Sequence, residues 1–227
     1  MEQYSAVARA GSSSNAIEIN KVLKNTYLLL SATLLFSAAM AGLAIFMNVG
    51  LMSFWVYIIG FIGLTFGVHK TANTSAGIFM VFALTGFLGF YTGPIVSFYT
   101  QTAGSGVVLN ALAGTGLIFF ALSGYVLKTQ KDFTFMKGFL FAGVMVMLLG
   151  IVAFIIGGAM GYQMTALSLG FSAFVILLMS GFILYDTSTI LRGEQTNYIL
   201  ATVNMYLNIW ILFMHLMRLL AFFSGDD

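Results

Sequence analysis

Four stretches of this chain hold no charged side chain, and their lengths restrict what it can fold into. No Asp, Glu, Lys or Arg lies between Lys24 and Lys70, between Lys70 and Lys128, between Lys137 and Asp186, or between Glu194 and Arg218. A bilayer span takes about 20 apolar residues. The first three stretches each hold two spans and the fourth holds one, which predicts seven. Charged residues make up only 7% of the chain, against an ordinary share of about a quarter, and apolar residues make up 60%. Such a chain has too little polar surface to stay in water, whereas lipid tails solvate it. The net charge of +2 is small and scattered, which points away from nucleic acid. The absence of cysteine excludes disulfides, thiolate metal sites and a cysteine nucleophile.

Turn residues divide the long stretches. Asn48 and Gly50 part helix 1 (Tyr27 to Met47) from helix 2 (Leu51 to Val68). The stretch Thr100 to Ser105 parts helix 3 (Gly77 to Tyr99) from helix 4 (Val107 to Leu127). Gly157 to Gln163 part helix 5 (Phe139 to Ile156) from helix 6 (Thr165 to Tyr185), and helix 7 runs from Tyr198 to Phe222. The runs are too long and too evenly apolar for barrel strands. The expected fold is therefore all-α: a polytopic membrane protein of seven transmembrane helices, three hairpins plus a last helix. The first apolar run is too long for a signal-peptide core and reads as a retained span.

Lys and Arg set the expected orientation. Arg9, Lys21, Lys24, Lys70, Lys128, Lys131, Lys137 and Arg192 all fall on one face of this arrangement, and the loops of the other face carry none. The positive-inside rule puts the charged face in the cytoplasm. Residues 1–22 are then a polar, disordered cytoplasmic tail, 23–223 a seven-helix membrane domain, and 224–227 a short tail on the opposite side.

Few polar groups lie at membrane depth. Asp186 is the one acid within or at the end of a predicted span, and an ionised carboxylate is unfavourable there unless paired or wet. It is either a proton- or cation-sensing group or an acid capping a helix end. On helix 7, Asn197, Asn204, Asn208 and His215 fall within a narrow arc at 100° per residue. A stripe of this kind avoids lipid, so helix 7 is expected at the centre of the bundle. It serves interhelical hydrogen bonding or a polar pathway containing a titratable His215. Lys70 either snorkels to the headgroups or pairs with Asp186. Gly93 and Pro94 on helix 3 make a candidate kink or gate, since proline removes a backbone donor. Glycine faces such as Gly63 and Gly67 read as packing devices.

The sequence points away from an enzyme. It has no GxGxxG, P-loop, HExxH or GxSxG pattern. No lysine lies on helix 7 to hold a retinal, and no second membrane acid is present for a two-aspartate protease. A Ser180 and His215 pair is the one conceivable hydrolytic dyad. No cofactor or metal is expected, and the methionines read as filler.

Several short segments stand in a telling order: Lys21 to Tyr27 (KVLKNTY), Lys70 to Asn73 (KTAN), Thr85 to Phe90 (TGFLGF), Gly93-Pro94-Ile95, Tyr185-Asp186-Thr187 and Gly193 to Ile199 (GEQTNYI). Over Lys21 to Phe223 the chain resembles the Bax inhibitor-1 family in its bacterial YccA-like branch. The resemblance implies seven helices with a central last one. It also implies one of two activities. The branch suggests a stress-related, inner-membrane modulator of the membrane-anchored AAA protease FtsH, with the cytoplasmic tail as the part the protease grips. Other members behave as pH-sensitive calcium leaks governed by two aspartates that share a proton. Asp186 matches the first aspartate, and Asn208, within Met205-Tyr206-Leu207-Asn208-Ile209, stands where the second would be. Asparagine does not titrate, so the coupled switch is not expected to work in its usual form. Lipid and FtsH are thus the expected partners, with calcium or protons as the alternative.

Overall fold

A computed structural model describes residues 2–161 and 165–224. Seven helices follow in order: α1 (Glu2–Phe46), α2 (Phe54–Thr71), α3 (Ala76–Ala103), α4 (Ser105–Thr129), α5 (Lys137–Ala159), α6 (Thr165–Leu191) and α7 (Tyr198–Ser224). A 3-10 turn, Thr134–Met136, leads into α5. Each of the seven has a stretch long and apolar enough to cross a bilayer, which in α1 begins at Ala16. The protein is an all-α, multi-pass membrane protein.

Helix α1 runs from Glu2, and its membrane-capable part starts at Ala16. Residues 162–163 of the linker expected between helices 5 and 6, and all but Ser224 of the tail 224–227, lie outside the described residues; the first part of that linker, up to Ala159, continues α5.

Tight turns end several helices. Gly104 joins α3 to α4 at φ +88°, a left-handed conformation that costs a side-chain-bearing residue energy. At the end of α6, Gly193 (φ +71°) donates its N–H to the Ile190 carbonyl, and Glu194 donates to Thr189. This left-handed cap satisfies carbonyls that the helix leaves open.

Helix α7 is the centre. It packs against α1, α2, α3, α4 and α6, and it buries Met205, Tyr206, Leu212 and Met217 almost completely. Around it lie Leu30, Leu84, Leu88 and Ile183. Helix α5 is the outermost, touching only α6 and the 3-10 turn and burying just Leu140 and Gly157. Large apolar side chains such as Phe46, Phe66, Phe120 and Leu177 point outward, where a bilayer solvates them.

The three expected hairpins hold in chain order, but the first is open in packing. Helix α1 lies along α3 and makes no contact with α2. The reason is the small-residue face of α3. A Cβ placed on Gly86 would meet the Phe36 ring at 2.6 Å, and one on Gly93 would meet the Ala41 carbonyl at 2.6 Å. These glycines let the α1 backbone approach closely. Gly63, expected to serve α2 in the same way, has nothing within 4 Å of its Cβ position.

Candidate functional site

The lysine-bearing ends of the helices are fastened together by their loops. Asn197 is the main fastener. Its side-chain oxygen accepts the N–H groups of Ile199 (2.9 Å) and Leu200 (3.2 Å), capping α7. Its amide donates to the Ala72 carbonyl (3.0 Å) and to Asn73 Oδ1 (2.8 Å), tying in the α2–α3 turn. Asn197 is thus a cap and not a rung of a membrane stripe, because it precedes the first turn of α7. Nearby, the Phe133 N–H donates to Ser188 Oγ at 3.0 Å, and Arg192 Nε lies 3.6 Å from Asp132 Oδ2. The half-exposed Arg192–Asp132 pair is screened by water and adds little. Asp132 also accepts the hydroxyl and backbone N–H of Thr134. Those bonds, with a smaller share from Arg192, hold its carboxyl below the usual carboxylate range.

Behind this layer sits Asp186, on α6 and 8% exposed. Its Oδ2 accepts the Asn208 side-chain amide at 2.7 Å, and Asn208 is equally buried. The hydroxyls following Asp186 in sequence satisfy local backbone: Thr187 donates to Ile183 and Thr189 to Asp186 itself. Thr187 also meets Ser123 of α4 at 3.3 Å. A cavity of about 250 Å³ reaches Asp186 from the lysine-bearing end, lined among others by Lys137, Thr189, Glu194 and Asn204. The arrangement places one carboxylate at the bottom of a small polar cavity, with an amide donor fixed on it.

The other residues singled out by sequence disperse. Asn204 is exposed and lines the cavity mouth. His215 lies two turns beyond Asn208, with buried Leu212 between, and its Nδ1 meets Ser172 Oγ at 3.2 Å. Ser172 spends its own proton on the Ser168 carbonyl, so the histidine N–H is the donor in that contact. The Ser180 and His215 dyad does not form: Ser180 donates to the Ile176 carbonyl instead. Nor does Lys70 reach Asp186. It is exposed at the end of α2, which packs on α3 and α7 but not on α6. Gly93 and Pro94 are buried in an uninterrupted α3, with Gly93 against α1.

Sequence reasoning missed a second polar group at mid-bundle. Ser37 Oγ and Tyr206 Oη are 2.6 Å apart, Tyr206 also donates to the Thr85 carbonyl (3.3 Å), and Trp210 Nε1 donates to Thr92 Oγ1 (2.8 Å). These bonds lock α7 to α1 and α3.

The family model described as "Inhibitor of apoptosis-promoting Bax1" matches residues 19–225. The chain belongs to the Bax inhibitor-1 family. It is 44% identical to the "Modulator of FtsH protease YccA" of Escherichia coli K12 over 210 residues, 92% of this chain and 94% of that one. The same identity and coverage hold for "Inner membrane protein YccA" of another Escherichia coli strain. A membrane protein of Vibrio cholerae is 40% identical over 221 residues, 96% of this chain and 97% of that one. For a Bax inhibitor-1 family member, the pairing of Asp186 with Asn208 puts the two positions singled out by the resemblance in direct contact.

Proposed function

We propose that this protein is an inner-membrane modulator of the FtsH protease, with its amino end and lysine-bearing loops in the cytoplasm. The observation that carries the reading is the 44% identity to the Escherichia coli modulator, which extends over more than nine-tenths of both chains. The orientation rests on eight Lys and Arg gathered at one end of the bundle. The polar segment 1–20 supplies an end that an ATP-driven protease can engage, and the bundle behind it resists extraction. The test is co-purification with FtsH from native membranes, together with turnover of another FtsH membrane substrate. Deleting residues 1–20 should weaken the association and relieve the effect on turnover; unchanged association and turnover would sink the role of the tail.

A second reading has one observation in its favour: the cavity that reaches Asp186 from the lysine-bearing end. It makes the protein a calcium or cation leak with Asp186 in the pathway. Purified protein in liposomes tests it. Calcium flux abolished by Asp186→Asn supports the leak, and flux that survives the substitution removes Asp186 from it.

A further inference from the structure

A second cavity, of about 460 Å³, lies at mid-bundle between α1, α3, α4 and α7. Its size falls within the range of small-molecule sites, about 300–1,000 Å³. Helices α1 and α4 form its two sides and are joined by the Tyr27 and Phe119 rings, 6.0 Å apart between centroids, without close backbone packing, so the cavity is a slot. The slot opens toward lipid: Ala38, Gly42 and Leu112 at its rim are exposed, whereas Ser37, Thr115 and Tyr206 within it are buried.

Two glycines keep the slot open. A Cβ built on Gly42 or Gly116 meets nothing within 4 Å. Neither glycine is needed for a close helix approach, unlike Gly89 and Gly93 on α3. A larger residue at either place would fill the space.

One polar group in the wall is unspent. Thr115 is 5% exposed, and its hydroxyl has no hydrogen-bond partner among the described residues. Thr33, Thr92 and Thr187 return their proton to a carbonyl three or four residues back, whereas Thr115, like Thr26 outside the slot, does not. A buried donor left unmade is unfavourable, because it has given up water without gaining a partner. Across the slot, Tyr206 gives its proton to the Thr85 carbonyl and Ser37 gives its proton to Tyr206, so these two hydroxyls are already engaged.

Depth narrows the occupant. Thr115 lies ten residues into α4, about 15 Å along a helix and near the middle of a hydrocarbon core of about 30 Å. Phospholipid headgroups and their ester carbonyls sit at the interface, too far out to meet it. No charged residue lines the slot, and Trp210 and Phe213 add flat aromatic wall. The fitting molecule is neutral, long and apolar, and carries a hydrogen-bond acceptor that lies inside the bilayer.

We propose that the slot between α1 and α4 binds a membrane quinone, with the Thr115 hydroxyl donating to a quinone carbonyl and the tail leaving between the two helices.

The chain has two tryptophans, and Trp55 is 69% exposed on α2, away from the slot. Trp55→Phe therefore leaves Trp210 as a reporter in the slot wall. Full-length protein in detergent is titrated with decylubiquinone while Trp210 emission is followed. Saturable quenching is expected. Thr115→Val, which keeps the shape and removes the donor, should raise the midpoint about three- to tenfold, the loss expected for one hydrogen bond. Thr115→Ser should restore it. Gly42→Leu at the exposed rim should abolish saturation with the melting temperature unchanged. Decylbenzene, which lacks a carbonyl, should compete poorly. Quenching that stays linear with concentration, or a midpoint indifferent to Thr115→Val, overturns the proposal. Equal competition by decylbenzene overturns it as well, and would mark the slot as a plain acyl-chain groove.

Discussion

Asn208 holds Asp186 by a 2.7 Å hydrogen bond from its amide to the carboxylate, and both side chains are buried between α6 and α7. A donor on a buried acid is a geometric fixture, because the acid has no other side-chain partner among the described residues. Asp186→Asn keeps an acceptor of the same shape, so its melting temperature should stay close to that of the parent. Asn208→Val removes the donor and should destabilise the protein by about 1–3 kcal/mol, as expected when a buried polar group is left without its partner. Thermal unfolding of both variants in the same detergent checks this. Equal losses would mean that the bond matters less than packing.

Gly89 faces the Ser37 backbone, and an added Cβ would run into the Ser37 carbonyl and lie 2.7 Å from its hydroxyl. Backbone cannot swing aside as a flexible side chain can. Gly89→Ala should therefore force α1 away from α3 and cost about 1–3 kcal/mol. Gly63→Ala, with open space at its Cβ position, should be neutral or slightly stabilising. The contrast in unfolding temperature between these two variants is the measurement.

Asn197 caps α7 and clasps the α2–α3 turn at once. Asn197→Ala loses both functions and should destabilise by about 1–2 kcal/mol. Asn197→Asp keeps the capping oxygen and forfeits the two donations to Ala72 and Asn73, so its loss should be smaller. Hydrogen exchange at the start of α7 separates them: faster exchange is expected with alanine and near-parental exchange with aspartate.

Asp132 provides a pH test outside the membrane. Its carboxyl is held below the usual range by Thr134 first and Arg192 last. Its ordinary value is about 3.9, so the benefit to the folded loop is present above that and disappears as pH falls through the lowered value. Asp132→Asn should flatten this acid-side loosening of the α4–α5 loop. Limited proteolysis after Lys131 across pH 3 to 6, with an acid-tolerant protease, gives the readout; identical profiles for both proteins would contradict it.

The helix count and the lysine bias were legible because hydropathy and charge are properties of single residues summed over a run. Helix α6 continues to Leu191, six residues past the expected Tyr185, because Thr187 and Thr189 donate to the helix's own carbonyls after its apolar character fades. Asp186 stood out as an isolated acid, and Asn208 through the stripe and the family resemblance. Which helices pack together was not legible. The glycine face of α3 meets α1, while Gly63 on α2 meets nothing, and the two faces look alike in sequence. Periodicity also set Asn197 beside Asn204 and Asn208, since an arc at 100° per residue does not reveal where a helix starts. The Ser37 and Tyr206 pair escaped notice because most hydroxyls on membrane helices merely bond their own backbone.

The order of synthesis gives the central place of α7 a consequence for biogenesis. The segment on which five other helices converge is synthesised after all of them. Until it inserts, the helices α1, α2, α3, α4 and α6 lack the element they pack against, and Asp186 lacks its amide partner. A chain that stalls before Tyr198 therefore lacks the donor that Asp186 meets in the finished bundle.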